Sequence, residues 1–235
     1  MSYGAIVLAG GRGSRLGGAE KPLLVHAGRT LLEHALAAVS GAERVAVVGP
    51  AGLKGVVSAY VEESGVDQLV VLTREHPPYA GPAAAVAAGL RALQEAPGVY
   101  GEEPRAEAAS AAAAHAGMPP FVVVLAADLV EPGPAVAAVV RAAGEALRDG
   151  PGAGAAWVPV DAGGRLQTLS CSVATGALAA AVEAAEASAG GLADSSMMRL
   201  LASLQLVRLP LEDLVFDDVD TWADAGRAGI GRPGS

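Results

Sequence analysis

Aromatic side chains are scarce in this chain, at 3 % of 235 residues, so its core cannot rest on stacked rings. Apolar residues nevertheless make up 52 % and lean on Ala, Val and Leu, which predicts helices packed closely on a sheet through short side chains. Cysteine occurs once, as Cys171, and this excludes both an internal disulfide and a multi-cysteine metal site. Cations are outnumbered, 16 Lys and Arg against 25 Asp and Glu, for a formal net charge of −9. That balance argues against broad attraction to nucleic acid or to an anionic membrane surface. An acidic protein that holds a polyphosphate must therefore gather its cations in one place. No apolar run reaches the roughly 18 residues of a membrane span, and no charged leader followed by an apolar stretch is present, so a soluble cytoplasmic protein is expected. The histidines, His26, His34, His76 and His115, show no close metal-ligand spacing and read as surface or loop residues.

What the chain does contain is short apolar runs alternating with helical patterns. Ala5–Ala9 is an apolar run stopped by Gly10-Gly11, the pattern of a buried parallel strand. Thr30-Leu31-Leu32-Glu33 matches a capping box and opens a helix that runs to Val39. Strands are expected at Arg44–Val48 and Gln68–Thr73, with a helix over Gly55–Ser64 between them. A helix follows over Pro82–Leu93, with proline in its first turn. Phe121–Ala126 is the clearest strand, and Asp128 stands just beyond it. The later part predicts strands near Ala155–Pro159 and Leu206–Leu209, and helices over Thr175–Ala187 and Ser195–Leu204, with Ser170 and Cys171 as strand residues. The alternation implies a mostly parallel sheet covered on both faces, formed by a single domain over residues 1–228. Residues 96–120 are expected to be a mobile insertion and residues 229–235 a disordered tail.

The most informative segment runs from Leu8 to Lys21. Five glycines in nine positions, from Gly10 to Gly18, allow positive φ and bring backbone N–H groups close to an anion. Arg12, Arg15 and Lys21 add three cations within ten residues. Two familiar phosphate loops fail on spacing. A dinucleotide fingerprint needs a small residue where Leu16 stands, and a Walker A loop needs Gly-Lys-Ser or Gly-Lys-Thr where Gly18-Ala19-Glu20 stands. A strand–helix connection without a ligand is the plainer alternative. The position beyond a strand's carboxyl end counts against it.

Leu-Ala-Gly-Gly followed by Ser-Arg-Leu-Gly-Gly-x-x-Lys resembles the signature of the molybdenum cofactor guanylyltransferase family, within the nucleotidyltransferases of Rossmann-like fold. The fold implied is an α/β three-layer sandwich with a mostly parallel central sheet, of the nucleotide-diphospho-sugar transferase type. The resemblance implies nucleotide binding by Leu8, Ala9, Gly10, Gly11, Gly13, Ser14, Arg15 and Lys21, with Arg15 on the β,γ-phosphates and Lys21 on the α-phosphate. Gly81-Pro82-Ala83-Ala84-Ala85 is similar to the family's Gly-Pro-Leu-Ala-Gly segment near the guanine and ribose, with Ala85 in place of the last glycine. Glu75 stands for the acidic residue that precedes it, with Arg74 next to it. Leu125-Ala126-Ala127-Asp128 resembles the strand-end aspartate that binds Mg²⁺, although Asp128 has a turn-capping role as its alternative. Asp218-Val219-Asp220-Thr221 resembles the turn near the pterin-bearing substrate, and Asp220 reads equally as the cap of a helix beginning near Trp222. Arg165-Leu166-Gln167-Thr168-Leu169 lies where the family faces its second substrate, but lacks the family's proline.

The resemblance implies a Mg²⁺-dependent nucleotidyltransferase with catalytic Arg15, Lys21 and Asp128. It would carry a nucleoside monophosphate from an NTP, with GTP favoured, to a small phosphorylated acceptor, with molybdopterin favoured. Gln167, Asp218 and Asp220 would bind the acceptor. Molybdoenzyme-maturation partners follow from the same resemblance, and nucleic acid and membrane do not. The loop itself leaves open other reactions of the fold: cytidylyl transfer to molybdopterin or to methylerythritol phosphate, phospholactate guanylylation, and sugar-nucleotide synthesis. It also leaves open a nucleotide-binding module without catalysis.

Overall fold

In the computed structural model, the described residues are 2–11, 16–65, 68–95, 117–150, 154–211, 214 and 216–230. The chain opens with β1 (Gly4–Leu8), a small hairpin of β2 (Val25–His26) and β3 (Arg29–Thr30), then α1 (Leu31–Ala38), β4 (Arg44–Val48), α2 (Lys54–Ser64) and β5 (Leu69–Thr73). It continues through α3 (Pro82–Glu95), β6 (Phe121–Ala126), α4 (Gly133–Asp149), β7 (Ala155–Val160), β8 (Ser170–Ala174) and α5 (Thr175–Ala187). The last elements are α6 (Met197–Leu201), β9 (Gln205–Pro210) and α7 (Trp222–Arg227).

Seven strands form one sheet in the order β5-β4-β1-β6-β8-β7-β9. Pairing is parallel except where β8 meets β6 and β7, so β8 alone runs against the rest. This is the mostly parallel sheet covered on both faces that the alternating pattern predicts, in the Rossmann-like α/β sandwich that the resemblance implies. Successive residues of a strand point to opposite faces, and the two faces bury different residues. Ala5, Val7, Val123 and Leu125 pack with Leu32 of α1 and Val136 of α4. Ile6, Val122 and Val124 pack with Val86 of α3 and Leu178 of α5.

The expected capping box of α1 is present, with the Glu33 N–H donating to Thr30 Oγ1 and the Thr30 N–H donating to Glu33. Helix α3 lies unusually close to the sheet. A Cβ on Gly89 would fall 2.5 Å from Ile6 Cγ2 and 3.0 Å from Val48 Cγ2, so only glycine permits this approach.

One helix is added and three expectations are corrected. Helix α4 has no counterpart in the sequence reading; its Ala135, Val136, Val139 and Ala143 are buried, but alanine and glycine dilute the apolar stripe. The helix expected over Ser195–Leu204 spans only Met197–Leu201, because Ser196 caps it by accepting the Arg199 N–H. The last residues of the expected 96–120 insertion belong to the fold: Gly117 accepts from Arg44, and the Pro120 carbonyl accepts the Thr175 N–H. Residues 96–116 lie outside the described residues. Gly229 and Ile230, expected in a disordered tail, belong to the fold: Ile230 is buried and its N–H donates to the Ala225 carbonyl, while residues 231–235 lie outside the described residues.

Candidate functional site

The register of the parallel strands sets the site. Leu8 lies opposite Val48 on one side and Ala126 on the other, and Val48 lies opposite Thr73. The turns after β1, β4, β5 and β6 therefore leave the sheet along one edge. The chain reverses its direction of winding at β1, between β4 and β6, and such a switch point opens a crevice beyond the strands' carboxyl ends. The turns are fixed to one another there: the Ala9 N–H donates to Val48 O, and the Ala127 N–H to Leu8 O. A Cβ on Gly49 would meet Leu53 Cδ1 at 2.8 Å and the Ala9 carbonyl oxygen at 3.0 Å. Two turns thus pass each other at a distance only glycine allows.

Lys21 opens a short 3-10 turn, Lys21–Leu23, with Pro22 buried behind it. Its Nζ donates to Asp128 Oδ2 at 3.3 Å and to Asp220 Oδ1. A short antiparallel pairing produces the second contact. Leu129 bridges Asp218, the Val130 N–H donates to Asp217 O, and the Val219 N–H donates to Asp128 O. Leu16, Leu24, Val130, Val219, Ala225 and Ile230 bury one another behind it. This small apolar cluster ties the chain's last helix to the turn that carries Lys21. The reading of Asp220 as a helix cap is corrected: Thr221 caps α7, accepting the Asp224 N–H in a full capping box.

Burial opposes the charge on the Lys21 ammonium, but its contacts with Asp220 and Asp128 outweigh that and raise its pKa above the ordinary lysine value. Burial raises the Asp128 carboxyl, against the pull of Lys21 and with a further push from the Asp218 charge. Among the described residues no group of three or more His, Cys, Asp or Glu side chains is placed to hold a metal ion. Two carboxylates meeting at one ammonium suit a hard cation that keeps water and takes its remaining ligands from phosphate oxygens.

Two cavities meet at Asp128. One, of about 390 Å³, is lined by Leu8, Gly10, Gly11, Lys21, Glu75, Gly81, Pro82 and Asp128 among others. The other, of about 320 Å³, is lined by Asp128, Asp161, Arg165, Gln167, Asp218 and Asp220 among others. Most of the residues singled out from the sequence are thus brought to the two sides of one aspartate. Ala9 lies just behind, in a smaller pocket shared with Gly10 and Gly11. Arg12, Gly13, Ser14 and Arg15 lie outside the described residues.

Glu75 is buried, and its Oε1 accepts the Tyr79 N–H at 2.8 Å. Gly81 takes φ +95°, and the Ser195 carbonyl just above it accepts the Ala83 N–H, which fixes the start of α3. Asp161 organises the second cavity. It accepts the Gly163 and Arg165 N–H groups and the Gln167 side-chain amide, and the Arg165 N–H in particular holds its carboxyl below the usual range. Asp161 and Tyr79 do not stand out in the sequence, where their only local signals are a Gly-Gly turn after one and a Gly-Pro after the other. Cys171 is buried, and burial pushes its thiol up to about 12. His26 and His34, expected as surface or loop residues, are half-buried, their rings 5.5 Å apart, with His26 Nδ1 against the Ala228 carbonyl.

The profile of the MobA-like NTP transferase domain matches residues 5–207. The chain belongs to that family. The matched span holds Lys21, Glu75, Gly81, Asp128 and Gln167. Among relatives, the molybdenum cofactor guanylyltransferase of Acidiphilium cryptum (strain JF-5) is 52 % identical over 48 residues, which is 20 % of this chain and 24 % of that protein. The molybdenum cofactor guanylyltransferase of Bradyrhizobium sp. (strain ORS 278) is 36 % identical over 85 residues, 36 % of this chain and 37 % of that protein. Each match spans less than half of the relative's length. Over nearly the whole chain the fold is shared with molybdopterin-guanine dinucleotide biosynthesis protein A from Archaeoglobus fulgidus, with TM-score 0.58, 21 % identity and coverage of 96 % of both chains.

Proposed function

We propose that the protein transfers a nucleoside monophosphate from a nucleoside triphosphate, with GTP favoured, to a small phosphorylated acceptor, with molybdopterin favoured. The observation that carries this reading is the meeting of two cavities at Asp128, with the Lys21 ammonium beside it. One cavity is lined by the glycine turn and suits a triphosphate; the other suits a second substrate whose phosphate must reach the same point.

An oxygen of the acceptor phosphate bonds to the α-phosphorus, and the bond from that phosphorus to the bridging oxygen of pyrophosphate breaks. The nucleophile is ionised near neutral pH, so the protein's work is alignment and charge stabilisation rather than proton transfer. Backbone N–H groups at Gly10 and Gly11 face the phosphates, and Lys21 exchanges a carboxylate partner for the α-phosphate. Glu75, Gly81 and Pro82 border the base and ribose, while Gln167 and Asp218 border the acceptor. Arg15 keeps the role on the β,γ-phosphates that the family's loop gives it. Asp128, with Asp220 beside it, would hold Mg²⁺, which when bound offsets phosphate charge and favours the departure of pyrophosphate.

Melting temperatures with GTP, CTP, ATP and UTP, each with Mg²⁺, test the base. GTP is expected to stabilise most, and stabilisation by CTP alone overturns the guanylyl assignment. Pyrophosphate release in the presence of molybdopterin tests the transfer. Binding of GTP without release from any acceptor would show a nucleotide-binding module instead.

A further inference from the structure

The main cavity and a smaller one of about 140 Å³ share a wall, to which Gly10, Gly11, Pro22, Glu75 and Tyr79 all contribute. Tyr79 alone among these carries a flat ring, and its backbone holds a conformation that tyrosine avoids. Its φ is +65°, in the left-handed region that few residues other than glycine enter. Such strain persists only where the surroundings enforce it, and it gathers at ligand sites.

Three contacts enforce it here. The Tyr79 N–H donates to Glu75 Oε1 at 2.8 Å. The carbonyl of the next residue, Ala80, accepts the Asp194 N–H at 2.8 Å. The Arg74 guanidinium lies over the Tyr79 ring, 5.2 Å from its centroid, within the range of a cation–π contact. Yet the residue so constrained is not packed into the core, for 44 % of it is exposed. Val25 and Met198, the other exposed large apolar side chains among the described residues, line neither cavity. An exposed tyrosine held in place by its neighbours and lining a cavity can offer its ring to another flat surface. Lys21 and Asp128 line the same cavity as Tyr79, so one ligand can carry both a flat group and an anionic group there.

We infer that Tyr79 is the stacking wall for the nucleobase of the triphosphate, with Arg74 bracing its ring. The inference rests on the transferase reading and adds to it a residue for the base. Stacking grows with the overlapped area, so this wall favours a purine over a pyrimidine. Glu75 thereby has a second task beyond its place in the cavity, since it holds the backbone that presents the ring.

The test measures binding of GTP and of inorganic tripolyphosphate, each with Mg²⁺, to the wild type and to Y79A, Y79N, Y79F and Y79W. Tripolyphosphate carries the same chain of phosphates without a base. Y79A is expected to weaken GTP by on the order of ten-fold, the scale of losing one base–aromatic stack, and to leave tripolyphosphate unchanged. Y79F and Y79W keep GTP affinity. Y79N tolerates this φ and stands in if Y79A does not fold. Equal GTP affinity in wild type, Y79A and Y79N overturns the inference and leaves the transferase reading standing. Equal loss of GTP and tripolyphosphate also overturns it, since the ring would then serve the phosphates or the fold. A wild type that binds no nucleoside triphosphate ends both readings.

Discussion

Lys21 and Asp220 are hydrogen-bonded to each other across 199 positions of sequence, and Asp128 accepts from the same ammonium at 3.3 Å. The contact joins the first turn of the sheet to its last connection and sets a positive charge where the two cavities meet. Side chains at the junction are partly exposed, 21 % for Lys21 and 27 % for Asp128. Desolvation of these partly buried charges offsets much of their mutual attraction, so the arrangement contributes little net stability. Its importance is for the ligand.

Replacing Lys21 with alanine is expected to lower turnover by about 10²- to 10³-fold, the scale of losing one preorganised charge. Pyrophosphate release at saturating GTP and acceptor measures it. Turnover like the wild type's would remove Lys21 from the reaction.

Asp128→Ala is expected to abolish magnesium-dependent activity. Titration of Mg²⁺ into the GTP complex should then show binding no tighter than that of Mg²⁺ to GTP in solution. An unchanged magnesium profile would place the ion on other residues.

Lys21 also predicts a pH dependence of stability. Its folded pKa is raised above the ordinary 10.5, so its stabilising contribution is fully present below that value and is lost as pH rises through the folded pKa. The difference in melting temperature between wild type and Lys21→Met should hold steady from neutral pH to about 10 and shrink above that. A difference that instead grew with alkaline pH would contradict the pairing with Asp220 and Asp128.

Two glycines in helices should respond oppositely to alanine. At Gly89 the added Cβ meets Ile6 and Val48, both fully buried, and overpacking costs about 1–3 kcal/mol. The better helix propensity of alanine, about 1 kcal/mol, does not offset the upper part of that range. Gly89→Ala is therefore expected to melt lower, by about 2–4 °C for each net kcal/mol in a chain of this size. At Gly55 in α2 the Cβ meets nothing within 4 Å, and Gly55→Ala should melt higher. A Gly89→Ala protein as stable as the wild type would show that α3 can shift from the sheet, and with it Gly81 and Pro82.

Features that depend on neighbouring residues are legible in the sequence alone. The apolar run stopped by Gly10-Gly11, the Thr30–Glu33 capping box and the strand before Asp128 are local backbone chemistry, and β1, α1 and β6 follow it. Tertiary structure decided what depends on packing between distant segments. The reversal of β8 is set by its partners, because a short buried strand such as Ser170–Ala174 reads the same in either direction. Asp220 left its expected capping role to Thr221 because the pairing of residues 128–130 with 217–219 carries it to Lys21. Tyr79 is fixed at the cavity wall by its near neighbours Glu75 and Arg74 and by the distant segment at Asp194, which no local pattern connects to it. Local composition fixes where the chain turns and where it extends. Which side chains then share one ammonium or one cavity is decided only when buried apolar faces choose their register.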